Sequence, residues 1–564
     1  MIDDPAFFLS SHGKTDPKSE MEAAIQTFFS SNKVAAKPAI CRFYARYTWL
    51  REALGVDESL FPVAACEKID AIDPKSATLV FPTYYLNNPA SMFGHTLLII
   101  ETDYKNKRLA QAVNYAARVD DTNGLVFTVK GIFGMYQGFY TVMPYYKKIR
   151  QYSNINQRDI WEYKLNLTET ELKKMVMHLA ELENIYTDYY FFNENCSFNL
   201  LYLLEAARPD AHLTDRFFFS VLPVETIRLA KQEGFIESVA YRPSTASKIK
   251  HNMAGLGKAL AKIGVDVSKQ EKKPETVLTM DISTTEKMQI LDLAADGIQY
   301  QYAKDKISQT DYSRHLINTL RTRSKLGQNN SGTDCVPAPI PPDKGHKPKK
   351  ICISAGNNDD GFFQQIGFRP AFTDLLDTDF FENQGAHIEF FDTHLRYYTS
   401  SHRIQLDHMD IIDIVSISPV DMFFNPLSWK LGAGFTQTLM SDGKDAMVFS
   451  LSSGVGTAWY KKITGLFYVF ATPELKIGNH LEKDTAAGLG LEAGVLKQIL
   501  PFWKCHLYAK QLYFETGDKH RAAEVSLSQN FRTGQNRSIR LKLTWEKAFG
   551  FEQTEGVAQV CTFF

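Results

Sequence analysis

The chain has 564 residues, 44% of them hydrophobic and 23% charged, enough for three or four folded domains. Lys and Arg total 63 against 64 Asp and Glu, which gives no argument for a nucleic-acid partner. No run of 18 apolar residues occurs, so no transmembrane helix is expected, while 13% aromatic content suits large β structures and membrane-interface belts.

The opening stretch, "MIDDPAFFLSSHGKTD", lacks a basic n-region and a long apolar h-region and does not read as a signal peptide. The protein is then either cytosolic or lacks its leader as written. Seven cysteines bear on that choice: Cys41, Cys66, Cys196, Cys335, Cys352, Cys505 and Cys561. No CxxC spacing occurs, so no zinc motif is expected, and no cofactor motif stands out. Cys41 with Cys66 is a candidate local disulfide and Cys335 with Cys352 a weaker one; scattered free thiols fit the count as well.

In chain order, 16–55 reads as helical, with apolar residues recurring at three and four and Gly55 as a stop. "SATLVFPTYYL", "HTLLIIETDY", "RLAQAVNYAAR" and "DIWEYKLNL" read as strands. "GLVFTVKGIFGMYQGFYTVMPYY" reads as strand and loop rather than helix. Thr168 with Glu171 forms a capping box ahead of "LKKMVMHLAELEN". "NENCSFNLLYLLEAARP" is an amphipathic helix that Asn193 or Asn195 can cap, with Cys196 in its first turn. Further helices are expected at 223–233, 284–304 and 311–325. The Pro-, Gly-, Asn- and Lys-rich stretch 327–350 is a linker.

Beyond the linker the pattern alternates. "RSIRLKLTWEKAF" sets Ile539, Leu541, Leu543 and Trp545 against Arg540, Lys542, Thr544 and Glu546. Turn signals such as "SDGK", "TGDK" and "RTGQN" divide roughly ten to twelve such segments, each about the length a tilted strand needs to cross a bilayer. The last strand, "VAQVCTFF", would turn Ala558, Val560, Thr562 and Phe564 to lipid, and its terminal aromatic resembles the assembly signal of outer-membrane barrels. A membrane barrel is favoured over a soluble β-sandwich, although alternation alone does not separate them.

Cys196 is the strongest nucleophile candidate. A thiol in the first turn of a helix feels the positive end of the macrodipole, which favours the reactive thiolate, and the N–H groups that follow can face an oxyanion. An imidazole would complete the acid–base chemistry, and His95 opens a strand. Asn114 on the next strand could orient its second ring nitrogen. Each has a plainer reading: a small buried thiol, a strand-end histidine, an asparagine beside a bulge.

"LVFPTYYLNNPASMFGHTLLII", "AVNYAA", "DIWEYKLNLT" and "YYFFNENCSFNLLYLLEAARP" together resemble the Lnb N-terminal periplasmic domain family, over about residues 76–240. The resemblance implies a circularly permuted papain-like fold, related to NlpC-type peptidases and lecithin:retinol acyltransferase, in which the histidine precedes the cysteine. It implies Cys196 as nucleophile, His95 as base, Asn114 as the third member, and Ser91, Tyr115 and Asn195 along the substrate pocket. The implied chemistry is acyl transfer or hydrolysis through a thioester on membrane lipid or lipoprotein. The rivals are a cell-wall peptidase or amidase on the same scaffold and a non-catalytic barrel with an accessory domain. A barrel departs from the family's acyltransferase, which resembles an inner-membrane protein with helical anchors.

The expected organisation is multidomain: a helical region at 1–75, an α+β papain-like domain at 76–275, a helical segment at 276–326, the linker, and an antiparallel β-barrel at 351–564. The implied location is the outer membrane, with the N-terminal domains in the periplasm.

Overall fold

A computed structural model describes residues 2–57, 66, 73–84, 93–102, 110–121, 124–218, 220–327, 336–377 and 385–564. The chain divides into two compact units, Met1–Ala338 and Pro339–Phe564.

Three helices open the first unit, Pro17–Phe28, Lys33–Arg42 and Tyr44–Leu54. Asp16 caps the first by accepting from the Lys18 N–H, and Gly55 ends the third in the left-handed region (φ 58°). Phe28, Ile40, Tyr47 and Leu50 form their core, together with Cys66, which is disulfide-bonded to Cys41 as expected.

A seven-stranded antiparallel sheet follows: β1 (Ser76–Pro82), β2 (Leu97–Glu101), β3 (Gln111–Ala117), β4 (Tyr136–Pro144), β5 (Ile160–Leu165), β6 (Tyr186–Tyr189) and β7 (Ile236–Arg242). Its order is β6-β4-β3-β2-β1-β5-β7. In β1 every residue after Ser76 is buried, because both faces of the sheet are covered. Leu79 and Phe81 pack with Leu172, Met175, Leu200 and Leu204 of the helices Glu169–Glu181 and Cys196–Ala207. Val80, Leu97 and Ile99 pack with Tyr145 and Tyr152 on the other side. The Thr168–Glu171 capping box forms as expected.

The segment 124–144 corrects its reading. Gly124–Ile132 is a helix, and β4 begins only at Tyr136. Its aromatic, glycine-punctuated composition suggested strand and loop, but Phe127 turns inward against Phe191, with ring centroids 4.9 Å apart, and Val126 and Val129 stay exposed. Packing on one face overrides the weak local preference. A helix not foreseen, Thr245–Ser268, packs with Thr284–Ala303, which in turn packs with Gln309–Ser324.

The second unit comprises β8 (Lys350–Asn358), β9 (Gly361–Arg369), the short β10 (Ala371–Thr373), β11 (Ala386–Tyr398), β12 (Arg403–Ser416), β13 (Ser428–Leu439), β14 (Asp445–Lys461), β15 (Gly465–Ile477), β16 (Thr485–Leu500), β17 (Trp503–Gly517), β18 (His520–Gly534), β19 (Arg537–Ala548) and β20 (Phe551–Phe563). Each long strand pairs antiparallel with the next. β20 pairs with β8, and β9 and β10 both lie along β11, so twelve strand positions close into a barrel.

The outer wall is apolar. Ile353 is 70% exposed, Val560 61% and Leu543 55%, whereas Arg369 is 0% exposed and Glu492 2%. A soluble sandwich would bury the first set and expose the second. This polarity is that of a barrel in lipid, and Ala558, Val560, Thr562 and Phe564 face outward as expected. The inner wall pairs its charges: Lys430 Nζ lies 2.9 Å from Glu492, and Arg369 bridges Glu389 at 2.9 Å and Asp374 at 3.0 Å.

Two expectations change here. Cys352 is bonded to Cys561, not Cys335, because the β8–β20 register sets those two residues opposite each other; Cys335 lies outside the described residues. The last part of the expected linker is tied to the barrel: Gln535 Nε2 donates to the Lys344 carbonyl at 3.0 Å, and the His346 ring packs on Phe563.

Candidate active site

Asn195 fixes where the cysteine helix starts. Its Oδ1 accepts from the Ser197 N–H at 3.0 Å and the Phe198 N–H at 3.3 Å, while its Nδ2 donates to the Phe191 and Val221 carbonyls at 3.1 and 2.6 Å. The amide is therefore anchored on both ends, and Cys196 is held as the first helical residue. Of the two candidate caps, Asn195 is the one used. The consequence for chemistry is that the Ser197 and Phe198 N–H groups already have an acceptor and do not face an oxyanion at the sulfur.

His95 reaches the same place from the entrance to β2. Gly94 takes φ 95°, a left-handed turn open to glycine, and a Cβ there would fall 2.6 Å from the Phe81 ring. Asn114 comes from the neighbouring strand β3. Its Oδ1 lies 2.8 Å from His95 Nε2, and an amide oxygen only accepts, so Nε2 carries the proton. Nδ1 is then the nitrogen left for the thiol, and the His95 side chain is within hydrogen-bonding reach of Cys196. All three side chains are buried.

Burial, the largest single influence, pushes the Cys196 thiol up, but the charge on the His95 imidazole and the hydrogen bonds around the sulfur together outweigh it. With a hydrogen bond from His95 and donation from the Thr96 backbone N–H and hydroxyl, the thiol is pulled down to about 7. Thr96 Oγ1 lies 4.0 Å from the sulfur and is fully buried. Tyr189 also bonds to Cys196, accepting from its backbone N–H. Neither Thr96 nor Tyr189 was picked out from the sequence. Thr96 follows His95 directly, so the pair "HT" was the available signal; Tyr189 sits seven residues before Cys196 and carried none.

Tyr115 is fully buried beside the cysteine, stacked on Tyr189 at 5.7 Å and tilted against Tyr140 at 4.9 Å. Its hydroxyl shares a hydrogen bond with Thr187. Tyr115 and Asn195 thus pack and cap around the thiol. Ser91 lies outside the described residues. Phe127, Tyr136, Tyr140 and Phe191 complete an aromatic surround. The arrangement can form a thiolate, return its proton through a fixed imidazole and hold that ring by an amide. Among the described residues, the His, Cys, Asp and Glu grouping able to hold a metal ion lies elsewhere, at Asp392, His394 and His408 of the barrel.

Residues 66–233 match the family model described as the Lnb N-terminal periplasmic domain. Three further models, each described only as a domain of unknown function, match residues 1–53, 239–334 and 339–563. No curated protein matches the chain. Among solved structures, a KdgM porin in complex with disordered oligogalacturonate is 8% identical, covering 38% of this chain and 99% of its own, at a TM-score of 0.24. A NanC porin is 7% identical, covering 38% and 99%, at 0.25. OmpT, an outer-membrane protein of Vibrio cholerae, is 7% identical, covering 40% and 100%, at 0.20. The barrel assignment rests instead on strand closure and the outward apolar wall. The chain thus joins an Lnb N-terminal periplasmic domain to an outer-membrane-type barrel.

Proposed function

We propose that the Lnb N-terminal periplasmic domain of this chain is a thiol enzyme that transfers or hydrolyses an acyl group through a thioester on Cys196. The observation that carries the reading is the buried line Cys196–His95–Asn114, with its thiol lowered to about 7. In the first step the Cys196 sulfur attacks an ester or amide carbonyl and the imidazolium at His95 protonates the departing oxygen or nitrogen. In the second, His95 takes a proton from an amine or water, which attacks the thioester and frees the sulfur. Asn114 holds the ring between the two steps.

The aromatic surround of the thiol favours an acyl chain over a peptide stem, and makes phospholipid the first donor to test, with a lipoprotein amine as acceptor. Incubation of the full chain with phospholipid vesicles, followed by peptide mass spectrometry, should give an acyl mass on the Cys196 peptide that is absent in Cys196→Ala. Cleavage of muropeptides without any such adduct would instead favour a cell-wall peptidase. Equal cellular performance of Cys196→Ala and wild type would favour a non-catalytic accessory domain.

A further inference from the structure

We propose that Asp392, His394 and His408 form a binding site for a divalent first-row transition-metal ion on the inner wall of the barrel. The two strands that carry it are both out of regular alternation at this point. On β11, His387 and Glu389 point inward. Phe391 then takes φ 51° and is skipped between the pairs Phe390↔Ile412 and Asp392↔Asp410. Ile411 opposite it drops out as well, so the register is unchanged, but the alternation of burial changes phase here and turns Asp392, His394 and Arg396 inward, all of them buried. On β12 the register skips Asp407, between His394↔His408 and Leu395↔Leu406. The bulge lets consecutive residues Asp407 and His408 both reach the interior, as their contacts with Arg396 and Asp392 require.

The side chains so gathered converge. Asp392 Oδ2 lies 3.4 Å from His394 Nε2 and 3.9 Å from His408 Nε2, and the ligand atoms of all three residues fall within 4.8 Å of one another. Donors sharing one ion at ~2.1 Å stand about 3.4 Å apart, so a small closure completes the set. The imidazoles stack at 4.3 Å. Gly367 on β9 makes room for that stack, since a Cβ there would fall 2.6 Å from the His394 ring.

One atom calls for a ligand. Asp392 Oδ1 is buried and accepts no hydrogen bond among the described residues, a costly arrangement that a cation would satisfy. His408 Nδ1 donates to Asp407 Oδ2 at 2.8 Å, which leaves Nε2, on the Asp392 side, as the nitrogen that would give up its proton to take an ion. A carboxylate behind a ligating histidine is the usual outer partner of a metal site.

His394 needs one adjustment. Gln365 now donates to its Nδ1 at 2.6 Å, while Gln365 Oε1 accepts from Arg396 Nε. When Nε2 binds the ion, the proton sits on Nδ1 and the Gln365 amide turns over to accept it. Arg396 keeps Glu555 at 2.6 and 2.8 Å. The His408 side chain is 28% exposed, which leaves a side open for entry and for a water ligand. Two imidazoles and one carboxylate suit Zn2+, Fe2+ or Ni2+ rather than Ca2+ or Mg2+.

The test uses the full chain in detergent micelles, stripped with chelator and titrated with Zn2+ by calorimetry, with bound metal counted after dialysis. One tight equivalent is expected, weakened at least about 100-fold in Asp392→Asn and in the His394→Ala/His408→Ala double variant. Gln365→Glu, whose carboxylate accepts from both the His394 Nδ1–H and Arg396, should bind about 10-fold more tightly. Heat-shifted electrophoretic mobility reports whether each variant keeps a folded barrel, and His408→Gln replaces the double variant if that one does not fold. No saturable equivalent, or one undiminished in the folded variants, overturns the proposal.

Discussion

In the N-terminal sheet, Val80, Leu97 and Ile99 are fully buried, and His95 and Asn114 are polar exceptions within an apolar interior. In the barrel, Ile353, Leu489 and Val560 face outward, while Arg369, Glu492 and Arg540 are enclosed. The same residue types therefore mean different things in the two units. A buried polar group in the sheet is an exception that has to be explained, and His95 and Asn114 are joined in one line that ends at the Cys196 sulfur. A buried charge in the barrel belongs to a paired inner wall and is ordinary there. Only a departure from that pairing, such as Asp392 Oδ1, stands out.

The contrast can be broken most severely at the sheet's exceptions. Cys196→Ala should reduce turnover at least about 10⁴-fold, and His95→Ala about 10²- to 10⁴-fold, with the fold intact by circular dichroism. An effect below tenfold in both would make those residues ordinary core. Next in size is the barrel seam. Cys352 and Cys561 close a separation of 209 residues, so the Cys352→Ser/Cys561→Ser double variant should lose about 3–5 kcal/mol in denaturant unfolding.

Polarity itself is tested by Leu543→Arg, which should cost about 2–4 kcal/mol in a bilayer. If Leu543, 55% exposed, faced water instead, the change would be nearly neutral. The smallest effect belongs to the capping box, where Thr168→Ala should cost about 1 kcal/mol by thermal unfolding. The same helix start has a pH signature. A hydrogen bond from Arg208, helped by Thr168, lowers Glu171 to about 2 from an ordinary 4.5. A depressed folded pKa stabilises fully above the unfolded value. That contribution should therefore fade as pH drops from about 4.5 toward 2, and Glu171→Gln should flatten the melting temperature over that window.

Much of this was legible because periodicity and local chemistry agree. Alternation along Arg537–Ala548 is a property of the strand alone, as are the Thr168 box and the Cys41–Cys66 spacing. What alternation lacks is a solvent: it cannot separate a lipid-facing wall from a water-facing one, and the closed barrel with its exposed apolar wall and enclosed charges supplied that. Cys352 was mispaired for the same reason, since its partner is set by a register between the first and last barrel strands. The helix Gly124–Ile132 was misread because its stretch is aromatic and punctuated by glycine, while the contact that fixes it, Phe127 on Phe191, joins residues far apart in the chain. At the site, His95, Asn114 and Cys196 sit in motifs with a stated chemistry. Thr96 and Tyr189 act through where β2 and β6 place them, which no spacing rule encodes. The bulges that gather Asp392, His394 and His408 are likewise invisible without the register.

The central claim is that His95 activates Cys196. The most direct measurement is the rate at which iodoacetamide alkylates Cys196 as a function of pH, read on its own peptide by mass spectrometry. The rate should be half-maximal near pH 7 in the wild type, and the midpoint should move up toward an ordinary thiol's, about 8.5, in His95→Ala. A wild-type midpoint already near 8.5, or one that His95→Ala leaves in place, would contradict it.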